Sequence, residues 1–292
     1  MLQVVNKKNI YIAVLMLLFC ACDRLDIKGL IMPTGDAVNR RFEQSADIHK
    51  NMPVATLEAD ATYNLFVCAD PHIADDTKNL KEFVNTLRND DAALFGVVLG
   101  DCIDKRGSMP VYADAIAYDA ELQKNELPIF SVIGNHDLFF SAWDDFRELV
   151  GPSVYWFDVD YAAGKDIFIT LDTASGTLGF KQLEWLRTFL ADNRKNYRHC
   201  VVLNHTNLFY TDNSQTSSGN LTMDETMVLL NLFSEHNVTL CLQGHDHYRE
   251  DLTFGGVRYT AVGTIRNESE SPEYLSIILS DSGIEFDWRY IK

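Results

Sequence analysis

The chain has 292 residues, which is enough for one large domain or two small ones. Its hydrophobic content of 47% and aromatic content of 11% are typical of a well-cored globular enzyme or binding protein, and it contains no internal repeat, heptad run or low-complexity tract. A formal net charge of −17 disfavours binding to nucleic acid, so a phosphorylated ligand would need a locally positive site.

The N-terminal segment is typical of an export signal. Two lysines precede an uncharged apolar run over residues 10–22, which is shorter than the roughly 20 residues that a membrane-spanning helix needs. Ala21 before Cys22 resembles a bacterial lipoprotein signal, in which the cysteine is acylated after cleavage, although Phe19 stands where an aliphatic residue is usual. We expect residues 1–21 to be a signal peptide. Cys22 would then anchor an exported protein to the periplasmic or cell-surface side of a bacterial membrane.

Residues 22–60 contain proline, glycine and charge but little periodicity. We predict that this segment is a tether followed by a strand or short helix laid on the core. Residues 61–292 are expected to form the functional domain.

Within that domain, short apolar runs rich in β-branched and aromatic residues alternate with longer segments of helical periodicity. Such alternation predicts an α/β domain with buried, largely parallel strands. The last quarter has strand-like runs without intervening helices, which predicts an antiparallel portion. The predicted strands cover residues 63–70, 93–101, 128–137, 166–173, 199–205, 237–247, 257–263, 273–280 and 284–292, and the predicted helices cover residues 75–89, 179–195 and 223–236.

Polar side chains collect where the predicted strands end, and five of the eight histidines stand there. In open α/β sheets, ligands bind in the crevice at the carboxyl ends of the strands. An alternative interpretation is that these residues form ordinary polar turns after core strands. That would explain His205 alone, but not polar residues at the ends of so many strands. We assign a structural role to Asp172, which also lies at a strand end. The candidate site residues are Asp70, His72, Asp101, Asp104, Asn135, His136, Asp137, His205, His245 and His247.

Five short blocks carry a family resemblance. "ADPH" (69–72), "GDCID" (100–104), "GNHD" (134–137), "VLNH" (202–205) and "GHDH" (244–247) resemble the signature of the calcineurin-like metallophosphoesterases, in the same order. Each block alone is weak evidence, but five in series, each closing an apolar strand, are specific. The resemblance implies a four-layer αββα sandwich, with mixed sheets inside and helices outside, and a metal-dependent phosphoric ester hydrolase.

The resemblance also implies two divalent metal ions, Mn, Fe or Zn. Asp70, His72, Asp101 and His247 would bind one ion, and Asp101, Asn135, His205 and His245 would bind the other. Two close ions need oxygen and nitrogen donors and one group that reaches both, and a carboxylate can bridge whereas an imidazole cannot. Asp101 is the expected bridge. Asp104 stands where the purple acid phosphatase branch has a tyrosine ligand, so no iron–tyrosinate centre is expected.

The resemblance further implies hydrolysis of a phosphomonoester or phosphodiester by attack of metal-bound hydroxide. The leaving alkoxide then needs a proton. His136 adjoins the expected ligand Asn135 without being a ligand itself, and it resembles the family's general acid. Asp137 or another nearby carboxylate is expected to orient its ring.

Two other interpretations come from different classes. A metal-dependent amidohydrolase barrel also uses a His-x-His pair, but after its first strand, whereas here that pair comes last. An exported metal- or phospholigand-binding lipoprotein with the same fold but little turnover would be expected to lack His136 or a ligand, and this chain lacks neither. The small phosphorylated substrate itself is left open. Loops over residues 104–110, 141–157 and 206–220 are expected to select it.

Overall fold

A computed structural model describes residues 36–105, 107–117, 127–209, 216 and 220–292. The expected signal peptide and the expected anchor Cys22 lie outside these residues, as does most of the loop predicted over residues 206–220. Among the helices that the structure describes, none has the length and apolar character that a bilayer span requires.

Two β-sheets pack face to face between layers of helices. The strands are β1 (Thr56–Glu58), β2 (Tyr63–Cys68), β3 (Ala93–Val98), β4 (Ile129–Ser131), β5 (Tyr155–Tyr161), β6 (Gly164–Thr170), β7 (Cys200–Leu203), β8 (Leu240–Gln243), β9 (Glu250–Phe254), β10 (Val257–Ala261), β11 (Glu273–Ser280) and β12 (Gly283–Tyr290). The α-helices are α1 (Asp36–His49), α2 (Lys78–Arg88), α3 (Met109–Ile116), α4 (Trp143–Leu149), α5 (Gly179–Asn193) and α6 (Met223–Glu235), and short 3₁₀ helices cover His136–Ser141 and Arg194–Asn196.

Both sheets are mixed. The seven-stranded sheet has the order β1-β5-β6-β7-β8-β10-β9, and the five-stranded sheet has the order β12-β11-β2-β3-β4. Strands β2, β3 and β4 are parallel, as are β6, β7, β8 and β10, whereas β11 and β12 add an antiparallel portion at the C-terminus. The predicted αββα sandwich is therefore confirmed.

Strand β2 shows why the strands read as continuous apolar runs. Leu65 and Val67 point into the core between the two sheets, whereas Phe66 and Cys68 point into the core under the helices α2, α3 and α4. Side chains alternate across a strand, so a strand buried on both faces needs apolar residues at every position. A matching core under α5 and α6 covers the outer face of the seven-stranded sheet.

The N-terminal helix α1 is tied to the rest of the domain by a buried ion pair. Arg41 Nε donates to Asp172 Oδ2 at 2.7 Å, and Arg41 Nη2 donates to Asp172 Oδ1 at 3.0 Å. Asp172 is fully buried at the end of β6, in agreement with a structural role. Strand β1 pairs in parallel with β5. Residues 36–58 thus pack as part of the same unit as residues 61–292.

One predicted loop is largely a structural element. The segment 141–157 contains helix α4 and the first residues of strand β5. Trp143 and Phe146 of this helix are buried against the five-stranded sheet. The seven residues of α4 are too few to show a helical period, which is why the sequence pattern did not predict the helix.

Candidate metal centre

The predicted ligands converge where strands of both sheets end. The blocks that follow β2, β3 and β4 come from the five-stranded sheet, and the blocks that follow β7 and β8 come from the seven-stranded sheet. His205 Nδ1 lies 2.8 Å from the carbonyl oxygen of Leu99, and the backbone N–H of His245 donates to Asp70 Oδ2 at 3.0 Å. These contacts join the two sheets at the site.

Five of these residues have a left-handed backbone. Positive φ is uncommon outside glycine and costs on the order of 1–3 kcal/mol per residue. The structure describes nine non-glycine residues with positive φ, and more than half of them belong to this site. Backbone strain is thus concentrated at the predicted ligands that follow the strand ends. The five are Asp70 (φ 53°), His72 (φ 47°), Asp101 (φ 48°), His245 (φ 75°) and His247 (φ 55°).

Two glycines allow the blocks to approach each other closely. A Cβ atom on Gly134 would overlap the backbone nitrogen of Asp101, and one on Gly244 would lie 2.7 Å from Asp70 Oδ2. Any side chain at these positions would push one ligand block away from its neighbour.

The first donor group contains Asp70, His72, Asp101 and His247, whose donor atoms lie within 4.8 Å of one another. His72 Nε2 lies 2.9 Å from His247 Nε2. His247 Nε2 lies 3.5 Å from Asp70 Oδ1, and His72 Nε2 lies 3.7 Å from Asp101 Oδ2. These four side chains enclose a space between two carboxylates and two imidazoles.

The second donor group contains Asp101, His205 and His245, with Asn135 beside them. His205 Nε2 lies 3.3 Å from Asp101 Oδ1, 3.1 Å from His245 Nδ1 and 3.1 Å from Asn135 Oδ1. Asp101 therefore presents Oδ1 to this group and Oδ2 to the first. The structure brings all seven predicted ligands together, with the predicted bridge between the two groups.

The donor set fits two divalent ions. It combines carboxylate and amide oxygens with imidazole nitrogens, and two pairs of imidazole nitrogens lie within 3.1 Å of each other. Burial lowers the pKa of His72, and it lowers the pKa of His245 to about 4, which keeps both imidazoles in the neutral form that binds metal.

His205 and Asp101 behave as a charged pair. Burial alone would lower the pKa of His205, but the Asp101 carboxylate outweighs it and raises that pKa to about 10. Burial acts to raise the pKa of Asp101, yet His205 and its neighbours bring it well below the ordinary value. An ion that binds both residues would have to displace the proton of His205.

His136 lies at the open side of the site. Its side chain is 26% exposed, whereas those of His72 and His247 are 9% exposed or less. His136 Nε2 lies 4.0 Å from Asp101 Oδ2, so the ring faces the bridging carboxylate. Its Nδ1 lies 3.1 Å from Asp104 Oδ1. His136 is therefore more accessible than the two neighbouring histidines of the first donor group.

Of the carboxylates expected to orient His136, Asp137 is directed to the backbone instead. Asp137 is fully buried and accepts hydrogen bonds from the backbone N–H groups of Gly134 at 2.8 Å and Ile103 at 3.1 Å. Burial raises the pKa of Asp137 to about 7, and the charge of Asp101 adds to the effect. Through these hydrogen bonds, Asp137 holds residues 134–137 next to residues 100–104. Asp104 is the other nearby carboxylate, and it contacts His136.

Thr264 is a site residue that the sequence pattern did not single out. Its hydroxyl donates to the carbonyl oxygen of Asp70 at 2.6 Å, and the next residue, Ile265, donates its N–H to the carbonyl oxygen of Ala69. These bonds fix the backbone of the first ligand block. Thr264 follows the end of β10, so its position at a strand end was the available signal.

Sequence comparison gives one family match. The model described as calcineurin-like phosphoesterase matches residues 63–249, which is more than half of the chain and includes all five blocks. No curated protein sequence matches this chain.

Structural comparison finds similar folds at low sequence identity. GAP50, the anchor in the inner membrane complex of Plasmodium, is 17% identical with a TM-score of 0.63, over 79% of this chain and 85% of that one. A dimetal phosphatase from Danio rerio is 16% identical with a TM-score of 0.58, over 79% and 99%. The purple acid phosphatase PPD1 from yellow lupin is 14% identical with a TM-score of 0.60, over 80% of this chain and 52% of that one. At these identities the likeness shows the fold.

Proposed function

Since the chain belongs to the calcineurin-like phosphoesterase family, we propose that it hydrolyses a phosphomonoester or phosphodiester with the help of two divalent metal ions, Mn, Fe or Zn. The position of Asp101 supports this best, because its two oxygens face two separate groups of nitrogen and oxygen donors. A single ion would leave the donors of the other buried group without a metal ion to bind.

The charges at the site suit a phosphate. Asp70 and Asp101 are the carboxylates among the seven ligands, so two divalent ions would make the centre positive in a chain of net charge −17. Bound there, the ions would attract the phosphate and lower the pKa of a water molecule that attacks phosphorus. The seven ligands would hold them as the two donor groups described above.

The chain itself supplies the proton for the leaving group. In the hydrolysis, the water oxygen forms a bond to phosphorus, the bond from phosphorus to the leaving oxygen breaks, and that oxygen takes a proton. His136 is the donor that we propose, since its side chain is partly exposed and its Nε2 atom faces the bridging carboxylate. Asp104 lies 3.1 Å from the opposite ring nitrogen, and we propose that it orients the ring.

The test begins with metal content and turnover. The full chain, purified in mild detergent without chelator and reconstituted with Mn²⁺ or Zn²⁺, should contain up to two ions and hydrolyse nitrophenyl phosphate or bis(nitrophenyl) phosphate. Asp101→Ala should abolish both properties. A metal content that stays at zero after reconstitution would rule out the proposed site.

The rival is a binding protein that keeps the fold. GAP50 is an anchor with a similar fold, so the fold by itself does not establish turnover. Two bound ions without hydrolysis of any mono- or diester in a broad substrate panel would favour the rival. The complete ligand set and the accessible His136 favour the enzyme.

We also propose that the protein is exported and anchored in a bacterial membrane through lipid on Cys22, with no nucleic-acid partner. The lysines, the uncharged run over residues 10–22 and the acidic charge of the chain support this. Cys22→Ala should yield an uncleaved or soluble form, detected by mass spectrometry and membrane fractionation. Unchanged mass and membrane association in this variant would contradict the proposal.

A further inference from the structure

A cleft of about 530 Å³ opens beside His247. This volume lies within the range of small-molecule binding sites, about 300–1,000 Å³. Tyr248 and Arg249 continue the chain from His247 along one wall. Thr264 also lines the cleft, and its hydroxyl is bonded to the backbone of Asp70. His247 therefore belongs both to the cleft and to the proposed metal centre, so the two adjoin.

The two arginines of the cleft differ in their partners. Arg249 is paired with Glu273, since its Nη1 lies 3.3 Å from Glu273 Oε2. The guanidinium group of Arg266 forms no ion pair or hydrogen bond with any residue that the structure describes, although exposed Glu268 and Glu270 lie at the edge of the same cleft.

The backbone of Arg266, in contrast, is held in place. Its N–H donates to the Thr264 hydroxyl at 3.1 Å, and its carbonyl oxygen accepts from Asn79 Nδ2 at 3.2 Å. The side chain of Arg266 is half-buried, and its guanidinium group has no anionic partner among the described residues. Guanidinium binds phosphate through paired N–H donors.

Two aromatic side chains complete the cleft. Tyr248 is 41% exposed and Tyr290 is 55% exposed, so both offer ring surface to a ligand. Tyr290 lies opposite Glu273 in the β11–β12 pair. Exposed tyrosine rings are suited to contact a sugar or base ring with their apolar faces.

We propose that this cleft binds one esterified group of a phosphodiester, a nucleoside-like group that carries a second phosphate, and that Arg266 binds this second phosphate. The inference rests on the proposed function, because it places the attacked phosphate at the metal centre. Hydrolysis adds the water oxygen to that phosphorus and breaks one of its ester bonds, with the proton going to the leaving alcohol. The second phosphate takes no part in the reaction and serves recognition.

Binding tests the cleft without turnover. Adenosine 3′,5′-bisphosphate and adenosine 5′-monophosphate differ by one phosphate, and their dissociation constants are measured by calorimetry on the Mn²⁺-loaded full chain carrying His136→Asn. Arg266→Ala should weaken binding of the bisphosphate by about 10- to 100-fold, as expected for a lost charge-assisted hydrogen bond. The dissociation constant of the monophosphate should change by less than about twofold. Arg187→Ala removes an exposed arginine on α5 and should leave both constants unchanged.

Kinetics supply a second readout. The dinucleotide pApA carries a terminal phosphate that ApA lacks. Arg266→Ala should raise KM for pApA by about tenfold or more and leave kcat unchanged. The KM for ApA should stay within about twofold of the wild-type value. Arg266→Lys should recover part of the loss on pApA. Unchanged bisphosphate binding in Arg266→Ala, or equal losses on pApA and ApA, would overturn the proposal. If the Mn²⁺-loaded wild type hydrolyses neither dinucleotide but keeps the Arg266-dependent binding, the hydrolase proposal fails and the cleft proposal stands.

Discussion

The Oδ1 atom of Asp104 lies 3.1 Å from the Nδ1 atom of His136. The same oxygen lies 3.5 Å from Nδ1 of His72, a predicted ligand. One carboxylate therefore lies beside the rings of a proposed proton donor and of a proposed ligand. We therefore expect Asp104 to orient both rings.

Replacement of this carboxylate should slow turnover. Asp104→Asn should reduce kcat by about 10- to 100-fold, because the two rings lose the partner that orients them. Asp104→Glu should recover part of the loss, and KM should change little in either variant. Asp75→Asn is the matched control, since Asp75 is exposed and pairs with Lys105 at 2.7 Å. If Asp104→Asn lowers only the metal content and the remaining loaded enzyme has normal kcat, Asp104 acts through His72 alone.

Metal stoichiometry should separate the bridge from an ordinary ligand. Asp101→Ala should lose both ions, because Asp101 presents an oxygen to each donor group. His247→Ala should weaken mainly the ion in the first group, where His247 contacts His72 and Asp70. Elemental analysis after reconstitution measures both, with His236→Gln at the end of α6 as a control. Equal loss of both ions in His247→Ala would contradict two separable sites.

The strand-end blocks could be predicted because a buried parallel strand leaves a strong apolar signal and its ligand must follow directly. Asp70, Asp101 and His205 are examples, each two or three residues past such a strand. The contact partners of these residues were harder to predict. Asp137 adjoins His136 in sequence but points to the backbone of Gly134 and Ile103, and no local pattern tells the two orientations apart.

Long-range pairs were not predictable from local patterns at all. Arg41 meets Asp172 across 131 positions of sequence, and the two lie in segments whose individual composition is ordinary. The segment around Arg41 has few apolar residues, so the 14-residue helix α1 left only a weak signal in the sequence. Its place in the fold depends on contacts such as the Arg41–Asp172 pair, which join residues far apart in sequence.

The Arg41–Asp172 pair should be essential for stability. Arg41→Met should lower the free energy of unfolding by about 3–5 kcal/mol, because it leaves the buried Asp172 carboxylate without its counter-charge. Combining it with Asp172→Asn should recover a large part of the loss. Lys181→Met removes an exposed ion pair with Glu43 and should cost less than about 1 kcal/mol. Denaturant unfolding measures all four proteins. A small effect in Arg41→Met would mean that α1 is not firmly docked.

Acid should weaken the docking of α1 through His49. This residue lies near the end of α1, with its ring edge against Trp156 and its Nε2 atom 3.2 Å from the carbonyl oxygen of Val154. Burial lowers the pKa of His49 below its ordinary value of 6.5. The unfolded chain therefore takes up the proton first, and stability is lost as the pH falls through 6.5 toward the folded pKa.

His49→Gln should consequently reduce the loss of unfolding free energy between neutral pH and about pH 5. The amide of glutamine retains a donor for Val154 and does not titrate. His236→Gln, at the end of α6, should keep the wild-type pH dependence. The comparison fails to support this role of His49 if both variants lose the same stability in acid as the wild type.

His136 separates catalysis from metal binding. Its ring reaches the site with 26% of the side chain exposed and lies 4.0 Å from the bridging carboxylate, but it belongs to neither proposed set of ligands. His136→Asn should therefore retain both ions and lower kcat by about 10²–10⁴-fold, the usual share of a general acid. Elemental analysis and steady-state kinetics on the same preparation check the two halves of this expectation.

The size of the loss should depend on the leaving group. A nitrophenolate departs as a stable anion and needs little protonation, whereas an alkoxide of high pKa needs a proton as the bond to phosphorus breaks. His136→Asn should thus cost much less on a nitrophenyl ester than on an alkyl ester of the same phosphate. Phe139, whose ring lies 4.7 Å from that of His136, provides a control, since Phe139→Leu keeps the imidazole and should show no such dependence. An equal loss on both esters in His136→Asn, with both ions retained, would show that His136 orients the phosphate or the water and does not protonate the leaving group.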